Sequence, residues 1–381
     1  MNQKQYQELI RIRQHLHSIP ELSGKESSTA EYLKALLLGC NPDNLITELG
    51  GTGIAAVFNG PITGPRILLR CDMDAIPVLE KMDLPYSSTM DGISHKCGHD
   101  GHMAIMAGIA KWLSENRPDS GSVVLLFQPA EETGEGAIRV LKDPRFQDIM
   151  PDFVFALHNL PGFPIGSIIL RTGIFASASR GMVIELSGSS SHAAEPDLGR
   201  SPALAIALMI QTFNDFPASD NPMNDLANAT ITHARIGEPV FGTSPGKGLL
   251  MVTLRSGNMK AMKSLSQRSE DSVREIANSC ELNVQISWTE EFPLTENSEN
   301  TVDLVRTAAE YLGLEIIQPD KPFPWSEDFG HFTMSYPGTL FGIGAGIHSS
   351  ALHSPEYDFP DELITTGVNV FRQIIEYYSI K

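Results

Sequence analysis

Apolar positions recur at helical spacing over residues 6–17 and 27–38, and the period of the chain then changes. Short aliphatic and β-branched runs at 54–58 and 67–70, bounded by Gly, Pro and Asn, predict strands. Residues 103–113, rich in Ala and Met, predict a helix. The continuous apolar runs at 122–127 and 153–157 predict strands buried on both faces. Strands alternating with helices imply an α/β layer around a largely parallel or mixed sheet. From Arg180 the order becomes strand 182–186, helix 201–213, strands 229–236 and 249–256, helix 259–279 and strand 283–289. That βαββαβ succession fits a small ferredoxin-like domain. After Glu291 the α/β pattern resumes with helix 302–312, a Pro-rich loop, strand 339–343 and a last helix over 361–378. The expected architecture is a discontinuous α/β domain, residues 1–179 and 292–381, with a second domain, residues 180–291, inserted in it.

A length of 381 residues agrees with about two domains, and 41% hydrophobic with 19% charged residues is a globular balance. The 46 acidic residues against 28 basic ones give a formal charge of −18. So acidic a chain lacks the general basic field that binds phosphate backbones or anionic lipid, so neither nucleic acid nor membrane is an expected partner. Cys40, Cys71, Cys97 and Cys280 are too scattered for a disulfide framework. Residues 1–13 are polar and lack the apolar stretch of a signal peptide, and no run approaches the ~18 apolar residues of a membrane span. The expected setting is the cytoplasm, and the expected partner a small molecule.

The densest chemistry lies in His95-Lys-Cys97-Gly-His99-Asp100-Gly-His102. Thiolate and imidazole suit borderline-soft cations, and carboxylates ligate them or orient the imidazoles. Taken alone, the cluster also fits polar loop residues around a buried Cys. Glu131 and Glu132 follow the apolar run 122–127, where adjacent carboxylates can divide the work: one binds a cation and the other takes a proton from water. His158 follows another apolar run, and His353 lies in a Gly- and Ser-rich segment. A lone His is usually an ordinary hydrogen-bonding residue. Here every candidate follows a predicted strand or sits in a Gly-rich loop, so all can meet at one sheet edge. Asp72 and Asp74 flank a strand end and can hold imidazole tautomers, whereas Cys71, just before them, belongs to the core.

The segments RCDMDAIP, HKCGHDGHMA, QPAEETGEGA, HAAEPDLGRSPA, SEDFG and LHSPEYDFPDE resemble the amidohydrolase branch of the M20 metallopeptidases: aminoacylases, hippurate hydrolases, auxin-conjugate hydrolases and N-acetyl-diaminopimelate deacetylases. They occur in family order from about residue 70 to the C-terminus. The resemblance implies a metallo-catalytic α/β/α domain with an inserted lid and dimerisation domain, two divalent ions (Mn, Zn, Ni or Co) and a homodimer. It implies that Cys97, His99, Glu132, His158 and His353 are the metal ligands, with the Cys97 thiolate bridging. Glu131 would be the general base acting on a metal-bridging water, and His192 the oxyanion donor supplied across the dimer. Asp72 and Asp74 would support the ligands. The implied reaction is hydrolysis of the amide bond of a small N-acyl amino acid or short peptide. One departure falls in the lid, where Gly242 stands in place of the family's common Asn and Lys247 offers another anion contact. Two rivals carry distinct signatures: a weak or inactive relative that only binds metal and ligand, and a thiol hydrolase in which Cys97 attacks with a nearby His as base.

Overall fold

The computed structural model describes residues 2–216 and 227–379. They divide into two compact units: Met1–Phe175 with Thr295–Lys321 and Asp328–Lys381, and Ala176–Leu294 with Pro322–Glu327.

In the first unit, helices α1 (Gln3–Ser18) and α2 (Ser27–Leu38) precede strands β1 (Asn44–Leu49), β2 (Gly53–Asn59) and β3 (Ile62–Asp72). Helix α3 (His99–Glu115), β4 (Ser120–Gln128) and β5 (Phe153–Leu160) follow. The described residues build an eight-stranded mixed sheet in the order β1, β2, β4, β3, β5, Gly338–Gly344, Ile168–Ile169, Ile316–Ile317. β4, β3, β5 and Gly338–Gly344 all run parallel, so their C-terminal ends lie along one edge. The central strands are nearly continuous apolar runs because both faces are covered, as the pattern of Val123–Phe127 and Val154–Leu157 requires. Leu9, Leu16, Ile105, Ile109, Phe371 and Ile374 pack with Leu69, Leu125 and Phe155 in one buried cluster.

Two local differences from the sequence reading matter for chemistry. β5 runs on to Leu160, so His158 lies within the strand rather than beyond it. Helix α3 begins at His99 rather than 103, which moves His99 and His102 out of the loop onto the first helical turn. The cause is Gly98, whose φ of 95° ends the loop in the left-handed region. A Cβ there would also stand 2.6 Å from Asn159 Oδ1, so only glycine fits.

The second unit holds a four-stranded antiparallel sheet in the order Ala227–Ile236, Lys247–Ser256, Ala178–Ser187, Asn283–Phe292. Helices Ala203–Asp215 and Met259–Ser279 pack on it and on each other, burying Ile206, Met209, Leu265 and Val273 against Met182, Ile184, Leu250 and Val252. In chain order these elements alternate as strand, helix, two strands, helix and strand. A separate two-stranded ribbon pairs Ser191–His192 with Thr243–Ser244.

Candidate metal centre

The parallel strand ends deliver the candidate groups to one edge. β3 ends at Asp72, β4 leads into Glu131 and Glu132, β5 carries His158, and Gly338–Gly344 leads into the loop bearing His353. Cys97 and His99 come from the left-handed turn that starts α3. His353 (φ 65°) is a backbone outlier for a non-glycine residue, and so is Ala130 (φ 52°), just before Glu131. Ala130 is held by its own N–H, which donates to Glu26 Oε1 at 2.8 Å.

The five donors meet. The ligating atoms of Cys97, His99 and His158 lie within 4.8 Å of one another, and so do those of Cys97, Glu132 and His353, so one thiol serves two sets. Cys97 Sγ is 3.5 Å from His158 Nε2. Glu132 Oε1 is 3.8 Å from His99 Nε2 and 3.6 Å from His353 Nε2. The two Glu132 separations are longer than hydrogen bonds and leave room for an ion between the groups.

The tautomers agree with ligation. His99 Nδ1 donates to the Asp74 carbonyl at 2.8 Å, which turns Nε2 inward as the atom that could give up a proton to a cation. His158 Nδ1 donates to the Asn159 carbonyl at 2.9 Å, leaving Nε2 facing the thiol. His99 Nε2 and Glu132 Oε1 are buried with no hydrogen-bond partner among the described residues. Buried polar atoms without partners are rare, and an imidazole nitrogen and a carboxylate oxygen 3.8 Å apart, each with a lone pair to offer, fit a cation between them. The donor set, one thiolate, three imidazoles and a carboxylate, suits Zn, Mn, Ni or Co.

Asp72 and Asp74 lie behind the donors. Asp74 Oδ2 accepts from Ser23 Oγ at 2.6 Å and from the Glu132 N–H at 3.0 Å, so one residue orients both His99 and Glu132. Asp72 accepts from His102 Nδ1 at 2.6 Å and from Arg70 at 2.8 Å. Burial alone would raise its carboxyl, but His99, His102 and Arg70 outweigh burial and hold it well below the usual carboxylate range. Glu131 is buried, and its Oε1 accepts the Asp328 N–H at 3.4 Å. Asp328 is itself fixed by Arg70 at 2.6 Å, by Gln128 Nε2 at 2.8 Å and by the Ala137 N–H at 2.8 Å.

Sequence reasoning gave no role to His102, Asn159, Arg70, Gln128 or Asp328. His102 lay in the quoted cluster, and both its nitrogens have protein partners, Asp72 and Asn159 Oδ1, the latter at 2.5 Å. Asn159 was signalled only by adjacency to His158, and Asp328 only by the SEDFG segment.

His192 lies in the second unit with an exposed ring. Its Nδ1 accepts the Ala194 N–H at 3.1 Å, which leaves the proton on Nε2, facing solvent. The Gly242 carbonyl accepts the Ala193 N–H at 3.1 Å, so Gly242 lies beside His192 on the ribbon.

A thiol, imidazoles and a carboxylate gathered at the strand ends of an α/β sheet, with a second carboxylate alongside, define the class of metal-dependent hydrolases. The comparisons with known proteins narrow that class. Residues 68–377 match peptidase family M20/M25/M40. The chain is 32% identical over 372 residues to an N-acetyldiaminopimelate deacetylase of Lactobacillus helveticus, covering 96% of each. It is 34% identical over 360 residues to an N-acetyl-L-cysteine deacetylase of Bacillus subtilis, covering 94% of this chain and 85% of that protein. A dinuclear metal-binding M20 peptidase from Bacillus subtilis, 25% identical, superposes with a TM-score of 0.80 over 99% of both chains. The chain belongs to the M20/M25/M40 peptidase family, and it is a metal-dependent amidohydrolase.

Cation binding must displace protons here. Burial, and then Glu132 and Glu131, push the Cys97 thiol well above its usual range. Burial would lower His99, but Asp72, Asp74 and Glu132 raise it to about 10. Both groups hold protons at neutral pH and would give them up as ligands of a cation. Calorimetric Zn²⁺ titration in buffers of different ionisation enthalpy is expected to show release of about one to two protons per chain, with affinity rising from about pH 6 to 8. Release near zero would remove Cys97 from the ligand set.

Proposed function

We propose that the protein hydrolyses the amide bond of a small N-acyl amino acid, with two divalent ions (Mn, Zn, Ni or Co) held by Cys97, His99, Glu132, His158 and His353 and the Cys97 thiolate shared. The observation that carries this reading is the pair of donor sets meeting at one thiol, with Glu131 alongside. The names of the relatives, deacetylases of N-acetyldiaminopimelate and N-acetyl-L-cysteine, support the substrate class.

Bound ions supply Lewis acidity toward the amide carbonyl and acidify water. Glu131 takes the proton of the attacking water and passes it to the departing amine nitrogen. The Asp328 N–H holds one Glu131 oxygen at 3.4 Å. His192 donates from Nε2 to the oxyanion that develops on the former carbonyl oxygen. Residues 180–291 act as a ferredoxin-like lid through which two chains form a homodimer, and His192 of the partner subunit completes each site. The cytoplasm is the proposed setting, in keeping with four unpaired cysteines.

Gly242 sets this chain apart on the substrate side. A Cβ built there meets nothing within 4 Å, so crowding does not exclude an Asn side chain. Its absence favours a substrate-side contact that differs from the family's, with Lys247 available to an anion. The same absence is the observation behind a second reading, a catalytically weak member that mainly binds metal and ligand.

Acetyl, benzoyl and indole-acyl amino acids assayed against the metal-loaded protein decide between the two, since turnover of none of them leaves the binding role. Chelator is expected to abolish activity and added cation to restore it, whereas a thiol hydrolase would survive chelation. Glu131→Gln is expected to retain both cations and to lose roughly 10²–10⁴-fold in kcat. Near-native activity in that variant would remove the base role. His192→Ala is expected to lose activity with its cations kept. Mixing it with Glu131→Gln chains is expected to recover part of the activity, because each mixed dimer holds one intact pair; no recovery would place His192 in its own chain's site or nowhere in the reaction.

A further inference from the structure

His353 is the candidate ligand with least support of its own. Its ring is half exposed, no hydrogen bond among the described residues holds either ring nitrogen, and its backbone sits at a φ of 65°. What fixes it is the main chain: the His353 N–H donates to the Lys96 carbonyl at 2.8 Å. The Lys96 side chain then holds the far end of the same loop. It is completely buried, and its Nζ donates to the Tyr357 carbonyl at 2.8 Å and to Glu80. Tyr357 is tied back in turn, since its hydroxyl accepts from Asn159 Nδ2 at 2.6 Å. The same Asn159 nitrogen donates to the Cys97 carbonyl at 3.0 Å. One buried lysine thus clasps both ends of the 353–357 loop to the Cys97 loop.

His99 and His158 do not depend on this clasp. Their Nδ1 atoms are fixed by the carbonyls of Asp74 and Asn159, on the β3 and β5 side of the site. We propose that Lys96 is a positioning residue for one cation position only, the one served by Glu132 and His353, and that the position served by His99 and His158 is independent of it. The proposal rests on the two-cation reading above. Lys96 touches neither substrate nor cation; it acts by holding the loop from which His353 projects.

The test is a Zn²⁺ titration of the full chain by equilibrium dialysis with metal analysis, which requires no substrate. The wild-type protein is expected to bind two ions per chain. Lys96→Met is expected to bind one ion with unchanged affinity and the second about 10–100-fold more weakly, as loss of an outer-shell support does. His353→Ala should give the same pattern. Because Lys96→Met also leaves Glu80 without one partner, the double variant Lys96→Met/Glu80→Gln separates the causes. Continued weakness of the second ion supports the clasp, whereas full recovery would assign the effect to buried charge and overturn it. Equal weakening of both ions, or of neither, overturns the proposal as well. Fewer than two ions in the wild-type protein sinks the two-cation reading itself. If Lys96→Met fails to fold, Lys96→Gln, which keeps a donor, takes its place. If neither variant folds, Lys96 holds up the fold and the proposal falls.

Discussion

One buried sulfur has to stand within reach of two donor sets, and most of the surrounding structure follows from that requirement. Cys97 can serve His99 and His158 on one side and Glu132 and His353 on the other only if its loop turns sharply at Gly98. That turn requires a positive φ and the absence of a Cβ, because Asn159 fills the space. Asn159 in turn binds the Cys97 carbonyl, His102 and Tyr357. The thiol is placed by backbone geometry and by one amide side chain.

The second constraint is electrostatic. Several carboxylates lie buried around this edge of the sheet, and Asp72, Asp100 and Asp328 among them face cationic side chains. Arg70 serves Asp72 and Asp328, while Arg13 and His17 serve Asp100, and Glu80 faces both His17 and Lys96. Paired buried charges add little net stability, but removing one partner typically costs about 3–5 kcal/mol. The consequence is rigidity. The residues adjoining the donors, Lys96 and Asp100, are locked by partners on α1 and on the 76–88 loop. His17 reflects the balance: burial would lower it, yet hydrogen bonds to Asp100 and Glu80 raise it to about 9.

The sequence made the central strands and the local clusters legible because both are short-range patterns. The apolar runs at 122–127 and 153–157 predict buried parallel strands, and groups just beyond such strands converge by topology alone. Element ends were less legible. A glycine signals a possible turn, but only the packing of Asn159 shows why Gly98 starts α3 at His99. The supports for Asp72 and Glu131 were invisible for a different reason. Arg70 and Asp328 are 258 positions apart, and nothing in the local pattern of either announces the pair. Lys96 stands unremarked between His95 and Cys97 in the sequence, and only tertiary structure shows it fully buried.

The contrast between His99 and His102 shows why composition alone cannot assign a ligand. Both lie on the first turn of α3, three positions apart on one face, and both are buried beside Asp72. A ligand imidazole must commit one nitrogen to an outer partner and keep the other free of hydrogen bonds. His99 does so through the Asp74 carbonyl. His102 faces Asp72 at one nitrogen and Asn159 Oδ1 at the other, so both of its nitrogens already have protein partners. The distinction is set by Asp74 and Asn159, which stand at the ends of different strands. The local cluster therefore supplies the candidate donors, and the sheet topology decides which of them face a cation.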